Sequence, residues 1–319
     1  MLWARVKYCL IARNGDLPLS AGPRFFFTQL KMKMKEKLTL AIQRKGRLSD
    51  GSVELLSRCG IRVSNGGSHL KARAEGFPLE ILLLRDDDIP QYVADGVADI
   101  GILGMNEVLE KKKDVQVVRS LGFSRCRLSV AVPREVNYTG REFLQGKRIA
   151  TSYPEILRDF LTENKLNAEV HTISGSVEIA PGIGLADAIF EIVSSGGTLL
   201  TNGLKEVDVV MQSEAVLIAQ RQLSQPKQAL LEKLLFRIEA MSRARKNKYI
   251  LLNAPEDRLD EISRLIPGMK SPTVLPLAQE GWCSLHSVVS EEDFWEVIDA
   301  LKQAGAEGIL VVPIEKMVL

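Results

Sequence analysis

The segment LADAIFEIVSSGGTL, residues 185–199, carries the clearest signs of chemistry in this sequence. An apolar run that predicts a strand leads into a turn made of Ser194, Ser195, Gly196, Gly197 and Thr198. The two glycines allow a ligand to approach the backbone closely, and the three hydroxyl groups can donate hydrogen bonds. A helix that starts directly after the turn adds backbone N–H groups without intrahelical acceptors. This combination predicts a phosphate-binding turn that needs no cationic side chain.

Two acidic residues precede this turn. Asp187 and Glu191 share one face of the predicted strand, because side chains alternate along a strand. Carboxylates accept hydrogen bonds from vicinal hydroxyl groups, so the segment predicts a site for a 5-phosphorylated ribose. For Asp187, a solvated charge at the start of the strand is the alternative. No GxxxxGK[ST] string occurs, and PGIGLAD lacks the third glycine of a dinucleotide fingerprint, which disfavours both of those nucleotide-binding classes.

Charged residues also follow two other predicted strands. Lys45 and Arg47 come after the strand Leu38–Gln43, and Arg85 begins a run of one arginine and three aspartates. Cations suit a pyrophosphate, and acids suit Mg²⁺ or the exocyclic amine of a base. Taken singly, each cluster also fits a solvated loop.

The elements that must position these residues follow an α/β pattern from Leu38 onward. Short apolar strands alternate with amphipathic helices, which predicts mostly parallel sheets with helices on both faces. We expect residues 38–124 and 205–224 to form one lobe and residues 125–204 to form a second. Such sheets bind ligands at the carboxyl ends of their strands, so the lobes should enclose a ligand cleft.

A third unit follows an amphipathic helix predicted from Gln225 to Lys248. Its predicted elements run β-α-β-β-α-β, which is the ferredoxin-like order. We therefore expect residues 225–319 to hold a linker helix and a small C-terminal domain. Domains of this kind often bind regulatory metabolites, although that argument rests on fold alone.

Charge separates an N-terminal segment from the rest of the chain. Residues 1–37 contain eight Lys or Arg and two acidic residues, whereas the remainder contains 34 basic and 38 acidic residues. We interpret residues 1–37 as an extension that is disordered or not native, and its short apolar stretch as no secretion signal. A membrane-surface or targeting role is the alternative. The mildly acidic body argues against a nucleic-acid binder.

The composition narrows the class further. With 45% hydrophobic and 26% charged residues, the chain is typical of soluble globular proteins. No apolar run approaches the roughly 18 residues of a membrane helix. Four scattered cysteines and three histidines without neighbours at ligand spacing predict reduced thiols, no histidine metal centre and a cytoplasmic location.

Seven motifs, in order along residues 38–319, resemble the ATP phosphoribosyltransferase family in its long, hexameric form: QRKGRLSD, LLLRDDDIP, ADIGILG, GKRIATSYP, SGSVEIAP, LADAIFEIVSSGGTL and ILVVPIEKM. The resemblance implies two periplasmic-binding-protein-like lobes and a ferredoxin-like regulatory domain. It implies that N1 of ATP attacks C1 of 5-phosphoribosyl 1-diphosphate, with Mg²⁺ held mainly by the substrates, in the first step of histidine biosynthesis. It also implies a homo-oligomer, from dimer to hexamer, that L-histidine inhibits.

The resemblance also implies roles for individual residues. The catalytic positions are Lys45, Arg47 and Glu178. The phosphoribosyl-binding positions are Asp187, Glu191, Ser194, Ser195, Gly196, Gly197 and Thr198, with Glu191 standing where relatives have Asp. The ATP-binding positions are Arg85, Asn106 and Glu107, and Asn106 stands where some relatives have an acid. The histidine-binding positions are Asn253, Met269, Thr273, Val288 and Gly308.

Two alternatives share the two-lobed architecture. A solute-binding protein would close on its ligand without reacting with it, but the sequence shows no export signal and carries an additional small domain. A porphobilinogen-polymerising enzyme needs a cysteine-tethered cofactor, whereas Cys283 falls in the expected regulatory unit.

Overall fold

Strands and helices alternate in the computed structural model, which describes residues 36–65, 70–266 and 268–319. The expectation for residues 1–37 falls almost wholly outside these ranges and stays a prediction. The strands are β1 Leu38–Gln43, β2 Arg62–Asn65, β3 Lys71–Glu75, β4 Leu79–Leu84, β5 Ile100–Gly104, β6 Gln116–Ser120, β7 Cys126–Pro133, β8 Arg148–Thr151, β9 Glu169–Thr172, β10 Ala188–Val193, β11 Leu204–Ser213, β12 Ala215–Ala219, β13 Asn247–Pro255, β14 Thr273–Pro276, β15 Trp282–Ser290 and β16 Glu307–Pro313. The α-helices are α1 Arg47–Arg58, α2 Ile89–Ala94, α3 Met105–Lys111, α4 Pro154–Glu163, α5 Gly197–Thr201, α6 Gln225–Lys246, α7 Leu259–Leu265 and α8 Glu291–Gln303.

The first lobe is built on a seven-stranded sheet with the order β2-β3-β4-β1-β5-β12-β6. β1 pairs in parallel with both β4 and β5, so the residues after these three strands emerge at one edge of the sheet. Leu38, Leu40 and Ile42 of β1 are fully buried, as expected for a strand covered on both faces. The hairpin β2–β3 was not predicted, because its residues RVSN and KARAE form no apolar run.

The second lobe is built on a five-stranded sheet with the order β11-β7-β10-β8-β9. β10 lies between β7 and β8 and ends directly before the turn at residues 194–196. The side chain of Phe190, in the middle of β10, is fully buried and anchors the strand in the core. The turn therefore extends from one of the best-packed strands of this lobe.

The assignment of residues 205–224 to the first lobe is wrong for their first half. β11 pairs antiparallel with β7, from Leu204 opposite Pro133 to Ser213 opposite Cys126. Only β12 returns to the first sheet, where it pairs with β5 and all five of its residues are buried. The half-buried residues of β11 suit the edge of a sheet, whereas the continuous apolar run of β12 suits the interior of the first lobe.

Helix α6 is more than a linker. Its side chains Leu231, Leu234 and Ile238 are buried in the same hydrophobic cluster as Leu38 and Leu217 of the first sheet. Proline in the first turn suits the start of this helix. α6 therefore belongs to the core of the first lobe, although it also leads into the C-terminal domain.

The C-terminal domain is an antiparallel sheet with the order β14-β15-β13-β16. Helices α7 and α8 cover one face, where Ile250, Leu285 and Leu301 form part of a buried cluster. The element order and strand order are those of the predicted ferredoxin-like domain. The predicted fold class, two α/β lobes followed by this domain, is confirmed. Within the described ranges, no helix has the length and apolar character needed to cross a bilayer.

Candidate active site

Two turns, each between a strand and a helix, approach each other from the two lobes. In the first lobe, β1 is followed by residues 44–46 and then α1, and in the second, β10 is followed by residues 194–196 and then α5. Gly46 has a backbone φ of 101° and Gly196 one of 79°, and residues other than glycine rarely adopt such angles. We name residues 44–47 the cationic turn and residues 194–198 the hydroxyl turn.

The cationic turn presents two of the predicted site residues to solvent. Lys45 and Arg47 are both exposed, and Arg47 opens helix α1. The Nη1 atom of Arg47 donates a hydrogen bond of 3.2 Å to the hydroxyl oxygen of Ser194. The structure thus brings together, from opposite lobes, a residue predicted to bind the diphosphate and a residue predicted to bind the 5-phosphate. Ser49, which the sequence suggested as the helix cap, is instead buried inside the first turn of α1.

The hydroxyl turn is fixed from the neighbouring strands. Arg127 on β7 donates through Nη1 to the backbone oxygen of Ser194 at 3.2 Å. Its other nitrogens bond to both carboxylate oxygens of Glu206 on β11, at 2.5 and 2.6 Å, and Ser129 donates to the same carboxylate at 2.6 Å. Hydrogen bonds from Arg127 lower the pKa of Glu206. No local sequence pattern indicated Arg127, because its partner lies 79 residues away.

Glu191 lies on the cleft side of β10, close to the hydroxyl turn. Its carboxylate accepts hydrogen bonds from the backbone N–H and hydroxyl of Ser152, at 3.2 and 2.7 Å, and from the backbone N–H of Ile192 at 3.0 Å. Burial raises its pKa above the ordinary value, although these donors act in the opposite direction, and the charge of Glu178 adds to the rise. The structure therefore brings Glu178 and Glu191 into the same neighbourhood.

Asp187 lies apart from this group, so the structure does not bring it to the hydroxyl turn, and its role at the ribose stays a prediction. It precedes β10, whereas the hydroxyl turn follows the strand, and a strand of this length spans roughly 20 Å. Its carboxylate accepts from the backbone N–H of Arg148 at 2.9 Å and pairs with that residue's guanidinium at 3.1 Å. Hydrogen bonds from Arg148 hold the pKa of Asp187 below its usual value. The alternation rule concerns the faces of a strand and gives no information about which end of β10 lies next to the hydroxyl turn.

Asn106 and Glu107 form a buried polar corner at the start of α3. The side-chain nitrogen of Asn106 donates to Glu107 at 3.1 Å and to the Tyr153 hydroxyl of the second lobe at 3.4 Å. Ser213 fixes the Asn106 amide, accepting from its backbone N–H at 3.1 Å and donating to its side-chain oxygen at 2.8 Å. Tyr153 and Ser213 were missed, because only the packing of the two lobes brings them here.

Burial of Glu107 raises its pKa to about 7. The charges of Asp86 and Asp87 add to the rise, while Lys111 and the hydrogen bond with Tyr153 oppose it. Tyr153 is itself shifted: burial, together with Glu107 and Glu191, raises the pKa of its hydroxyl far above the usual value. The corner therefore holds a carboxyl group that can gain or lose a proton near neutral pH.

Arg85 is close to this corner along the chain but is engaged elsewhere. Its guanidinium bonds to the Asp87 carboxylate at 3.0 and 3.2 Å, and its side chain is 79% exposed. This ion pair raises the pKa of Arg85. An exposed pair of this kind is weak, so Arg85 can exchange Asp87 for an incoming anion at little cost.

The predicted histidine-binding positions lie in the C-terminal domain. Gly308, with φ 57°, lies beside Asn253, since a Cβ at position 308 would sit 3.3 Å from its side-chain nitrogen. Thr273 pairs across the sheet with His286, and Val288 follows two residues further along β15. Met269, in the connection before β14, is 52% exposed.

The uncovered face of this sheet also holds a polar cluster that the sequence did not reveal. The His286 ring is hydrogen-bonded on both sides, to the Tyr249 hydroxyl at 2.9 Å and to the Ser284 hydroxyl at 3.1 Å. Asn253 is separated from Val288 by roughly four residues along the sheet, or ~13 Å. The predicted positions thus form two groups on one sheet rather than a single enclosed pocket.

No metal centre is built from the side chains described: residues 36–65, 70–266 and 268–319 contain no cluster of three or more His, Cys, Asp or Glu arranged to hold an ion. Asp86, Asp87 and Asp88 follow one another in a short 3-10 turn, which directs them apart. These residues do not fit a metal site made by the protein alone. The expectation of Mg²⁺ stays a prediction, for an ion carried by the substrates.

Fold and site together define a two-lobed α/β protein with a cleft suited to phosphorylated ligands and a separate C-terminal domain. Residues 85–240 match the model of the ATP phosphoribosyltransferase family, and residues 244–316 match the model of the HisG C-terminal domain. The chain is 61% identical over 285 residues to an ATP phosphoribosyltransferase from Cytophaga hutchinsonii, covering 89% of this chain and all of that protein. A counterpart from Bacteroides thetaiotaomicron is 57% identical over 282 residues, covering 88% of this chain and all of that protein.

A solved structure supports the same conclusion. The ATP phosphoribosyl transferase (HisG:HisZ) complex from Thermotoga maritima contains a chain that is 28% identical, with a TM-score of 0.54, over 63% of this chain and 98% of its own. The chain therefore belongs to the ATP phosphoribosyltransferase family, and the C-terminal match identifies the long form. This assignment replaces both alternatives, the solute-binding protein and the porphobilinogen-polymerising enzyme.

Proposed function

We propose that this protein transfers the 5-phosphoribosyl group of 5-phosphoribosyl 1-diphosphate to N1 of ATP, releasing diphosphate. The reaction requires Mg²⁺, takes place in the cytoplasm and is the first step of L-histidine biosynthesis. Family membership supports the reaction class, and the arrangement of the cleft supports the roles of individual residues.

The observation that carries the proposal is the contact between the two turns. Arg47 reaches from the first lobe to Ser194 of the second, at 3.2 Å. A substrate with phosphate groups at both ends of a ribose would lie between such turns, with the diphosphate towards Lys45 and Arg47. Its 5-phosphate would lie against the hydroxyl turn, where short donors and backbone N–H groups replace water.

The remaining residues would act on the sugar and the purine. Glu191 would accept hydrogen bonds from the ribose hydroxyls, with Glu178 beside it, although its carboxylate already has three donors. Arg85, Asn106 and Glu107 would bind ATP. A neutral Glu107 can donate to a ring nitrogen, and an ionised Glu107 can accept from the exocyclic amine, since its pKa is about 7.

Charge stabilisation and orientation account for the proposed catalysis. Substitution at the anomeric carbon passes through an oxocarbenium-like centre and requires little covalent chemistry from the protein. Positive charge at Arg47 and Lys45 would stabilise the departing diphosphate. Mg²⁺, when bound with the substrates, would supply further charge neutralisation at the same groups.

The test is direct. The full-length protein is incubated with ATP, Mg²⁺ and 5-phosphoribosyl 1-diphosphate, and the product is identified by mass alongside released diphosphate. We expect a phosphoribosyl adduct of ATP and one diphosphate per adduct. Diphosphate release without the adduct, or no reaction at all, would contradict the proposed function.

We further propose that L-histidine inhibits this reaction from the C-terminal domain, within a homo-oligomer between dimer and hexamer. The likeness to a chain from a HisG:HisZ complex supports assembly, and the partly polar open sheet supports a ligand site. Asn253→Ala should weaken histidine inhibition and leave the uninhibited rate unchanged, because Asn253 lies outside the two lobes. Unchanged inhibition would place histidine elsewhere. A truncation to test the same point should end after Lys246, since α6 completes the first core.

A further inference from the structure

Glu110 is a buried carboxylate that the proposed chemistry does not use. It lies on α3 of the first lobe and is 7% exposed, yet its hydrogen-bond partners belong to the second lobe. Both carboxylate oxygens accept from the backbone N–H of Glu155 at 3.1 Å, and one also accepts from that of Ile156 at 3.1 Å. These amides belong to the first turn of α4, which has no intrahelical acceptors of its own.

The sequence of α4 explains why it needs this partner. Tyr153 occupies the capping position, and its side chain makes no capping hydrogen bond. Pro154 follows as the first helical residue and lacks an N–H group. Serine, threonine, aspartate or asparagine would ordinarily cap such a helix from within its own chain segment. Here a carboxylate from the other lobe fills that place, and its charge suits the positive end of the helix.

A second contact joins the same two helices. Lys112 directly follows the last residue of α3 and has a left-handed backbone conformation. Its side chain pairs with Asp159 at 2.9 Å and with Glu155 at 3.4 Å. Its side chain is 48% exposed, so these pairs add little stability by themselves. The buried cap made by Glu110 is therefore the stronger of the two links.

The cap lies next to the buried polar corner formed by Asn106 and Glu107. Tyr153 directly precedes α4, and its hydroxyl is the group that meets Asn106 from across the lobe boundary. The chain itself crosses between the lobes around residues 121–125 and at Glu214. We propose that Glu110 is a positioning residue, which caps α4 from the opposite lobe and so sets the angle at which Tyr153 meets Asn106 and Glu107. The link to ATP binding rests on the proposed function.

Substitutions at Glu110 separate this role from simple helix stabilisation. Glu110→Ala removes the cap, and Glu110→Gln keeps the side-chain shape but leaves one acceptor oxygen for the two N–H groups of Glu155 and Ile156. Lys112→Gln is the matched control, because it removes the exposed pairs between the same helices and keeps the cap. If Glu110→Ala does not fold, Glu110→Gln still provides the test.

Hydrogen exchange on the full-length protein without ligand gives the first measurement. We expect faster exchange at Glu155 and Ile156 in both Glu110 variants, and also at Asn106, whose amide is bonded to Ser213 at 3.1 Å. The Lys112→Gln variant should match the wild type at Asn106. Faster exchange confined to α4, with Asn106 unchanged, would overturn the proposal, because the cap would then act only on its own helix.

Steady-state kinetics give the second measurement. If fewer protein molecules have their lobes at the correct angle, the apparent KM for ATP rises in proportion. We therefore expect both Glu110 variants to show a KM raised by about tenfold, with kcat changed by less than about threefold. A lower melting temperature with an unchanged KM would indicate a merely structural role and overturn the proposal. If the wild type forms no phosphoribosyl adduct, the proposed function fails, while exchange at Asn106 still decides the role of Glu110.

Discussion

The two walls of the cleft share one backbone design and differ in chemistry. Each consists of a strand, a three-residue turn that ends in a glycine with positive φ, and a helix. The first wall carries the flexible cations Lys45 and Arg47, and the second carries short hydroxyl side chains. Long cationic side chains can follow a group that leaves, whereas short hydroxyls and amides hold a group that stays. The contrast fits a substrate that loses its diphosphate and keeps its 5-phosphate.

The same contrast extends to the carboxyl group of each wall. Glu191 on the second wall accepts three hydrogen bonds from protein donors. Glu107 on the first wall accepts from Asn106 and interacts with Tyr153, and its acidic neighbours Asp86 and Asp87 add to the effect of burial. One carboxyl group is held by donors, and the other is balanced between two protonation states near pH 7.

The largest expected effect concerns the carboxyl group of Glu107, on the first wall. Because the folded-state pKa of Glu107 is about 7 against an ordinary value of 4.5, the neutral form favours folding at low pH, and this contribution is lost as pH rises through 7. Asp86 and Asp87 favour the neutral form, and Lys111 and Tyr153 oppose it. Glu107→Gln should therefore gain stability relative to the wild type between pH 5 and pH 8, by on the order of 2 kcal/mol. Urea unfolding at both pH values measures the difference.

Asp187 provides a control of opposite sign. Hydrogen bonds from Arg148 lower its folded-state pKa, so its contribution to stability is present above the unfolded pKa and is lost as pH falls through the folded one. Asp187→Asn should destabilise the protein most at neutral pH and progressively less in acid. Parallel trends for the two variants would show that neither reports on its own carboxyl group.

The next effect tests the cationic wall. Arg47→Ala should lower turnover by well over tenfold, equivalent to ~1.4 kcal/mol or more, because under the proposed function it removes positive charge at the departing diphosphate. Arg44→Ala is the matched control: Arg44 is an exposed cation in the same turn, and its backbone N–H bond to Leu84 survives the substitution. Steady-state kinetics with both substrates compare the two. Equal losses would mean that net charge matters and the position of Arg47 does not.

Much of this contrast could be predicted from local sequence. Strand β1 has the predicted bounds Leu38–Gln43, and the hydroxyl turn follows β10 as expected, because a buried apolar run that ends in Ser-Ser-Gly-Gly is a short-range signal. Local sequence also explains why the start of α1 was misplaced at Ser49. Serine is a common N-cap residue, whereas in the structure the turn ends at Gly46 and the helix begins at Arg47.

What sequence could not predict depends on distant pairing. β11 was assigned to the wrong lobe because its pairing with β7 is set by the packing of the sheets. Asp187 was grouped with Glu191 by alternation, yet Arg148 binds it at the other end of the strand. Glu110 and Tyr153 acquire their roles only when the two lobes meet, and Arg127 acquires its role when β7, β10 and β11 pair in one sheet, so no spacing along the chain could indicate them.

A smaller effect tests the backbone of the hydroxyl wall. Gly196→Ala forces a left-handed conformation on an alanine, at a cost of ~1 kcal/mol in stability. Gly203→Ala is its control at the other end of α5, with φ 71° and no atoms within 4 Å of the added carbon. Both variants should melt at similarly lower temperatures. Only Gly196→Ala should raise the KM for 5-phosphoribosyl 1-diphosphate, by about fivefold, and a similar rise in both would remove the turn from the phosphate site.

The smallest effect measures whether the two walls act together. Arg47 and Ser194 form one exposed hydrogen bond of 3.2 Å, so a double-mutant cycle of Arg47→Ala and Ser194→Ala should give a coupling energy of about 0.5 kcal/mol in the free protein. Under the proposed function, substrate would separate the walls by occupying both turns, and each residue would then turn to a different phosphate. Coupling measured from kcat/KM should therefore differ from coupling measured by unfolding. Identical values would mean that the contact persists in the transition state, leaving no room between the turns for the ribose that the proposed reaction places there.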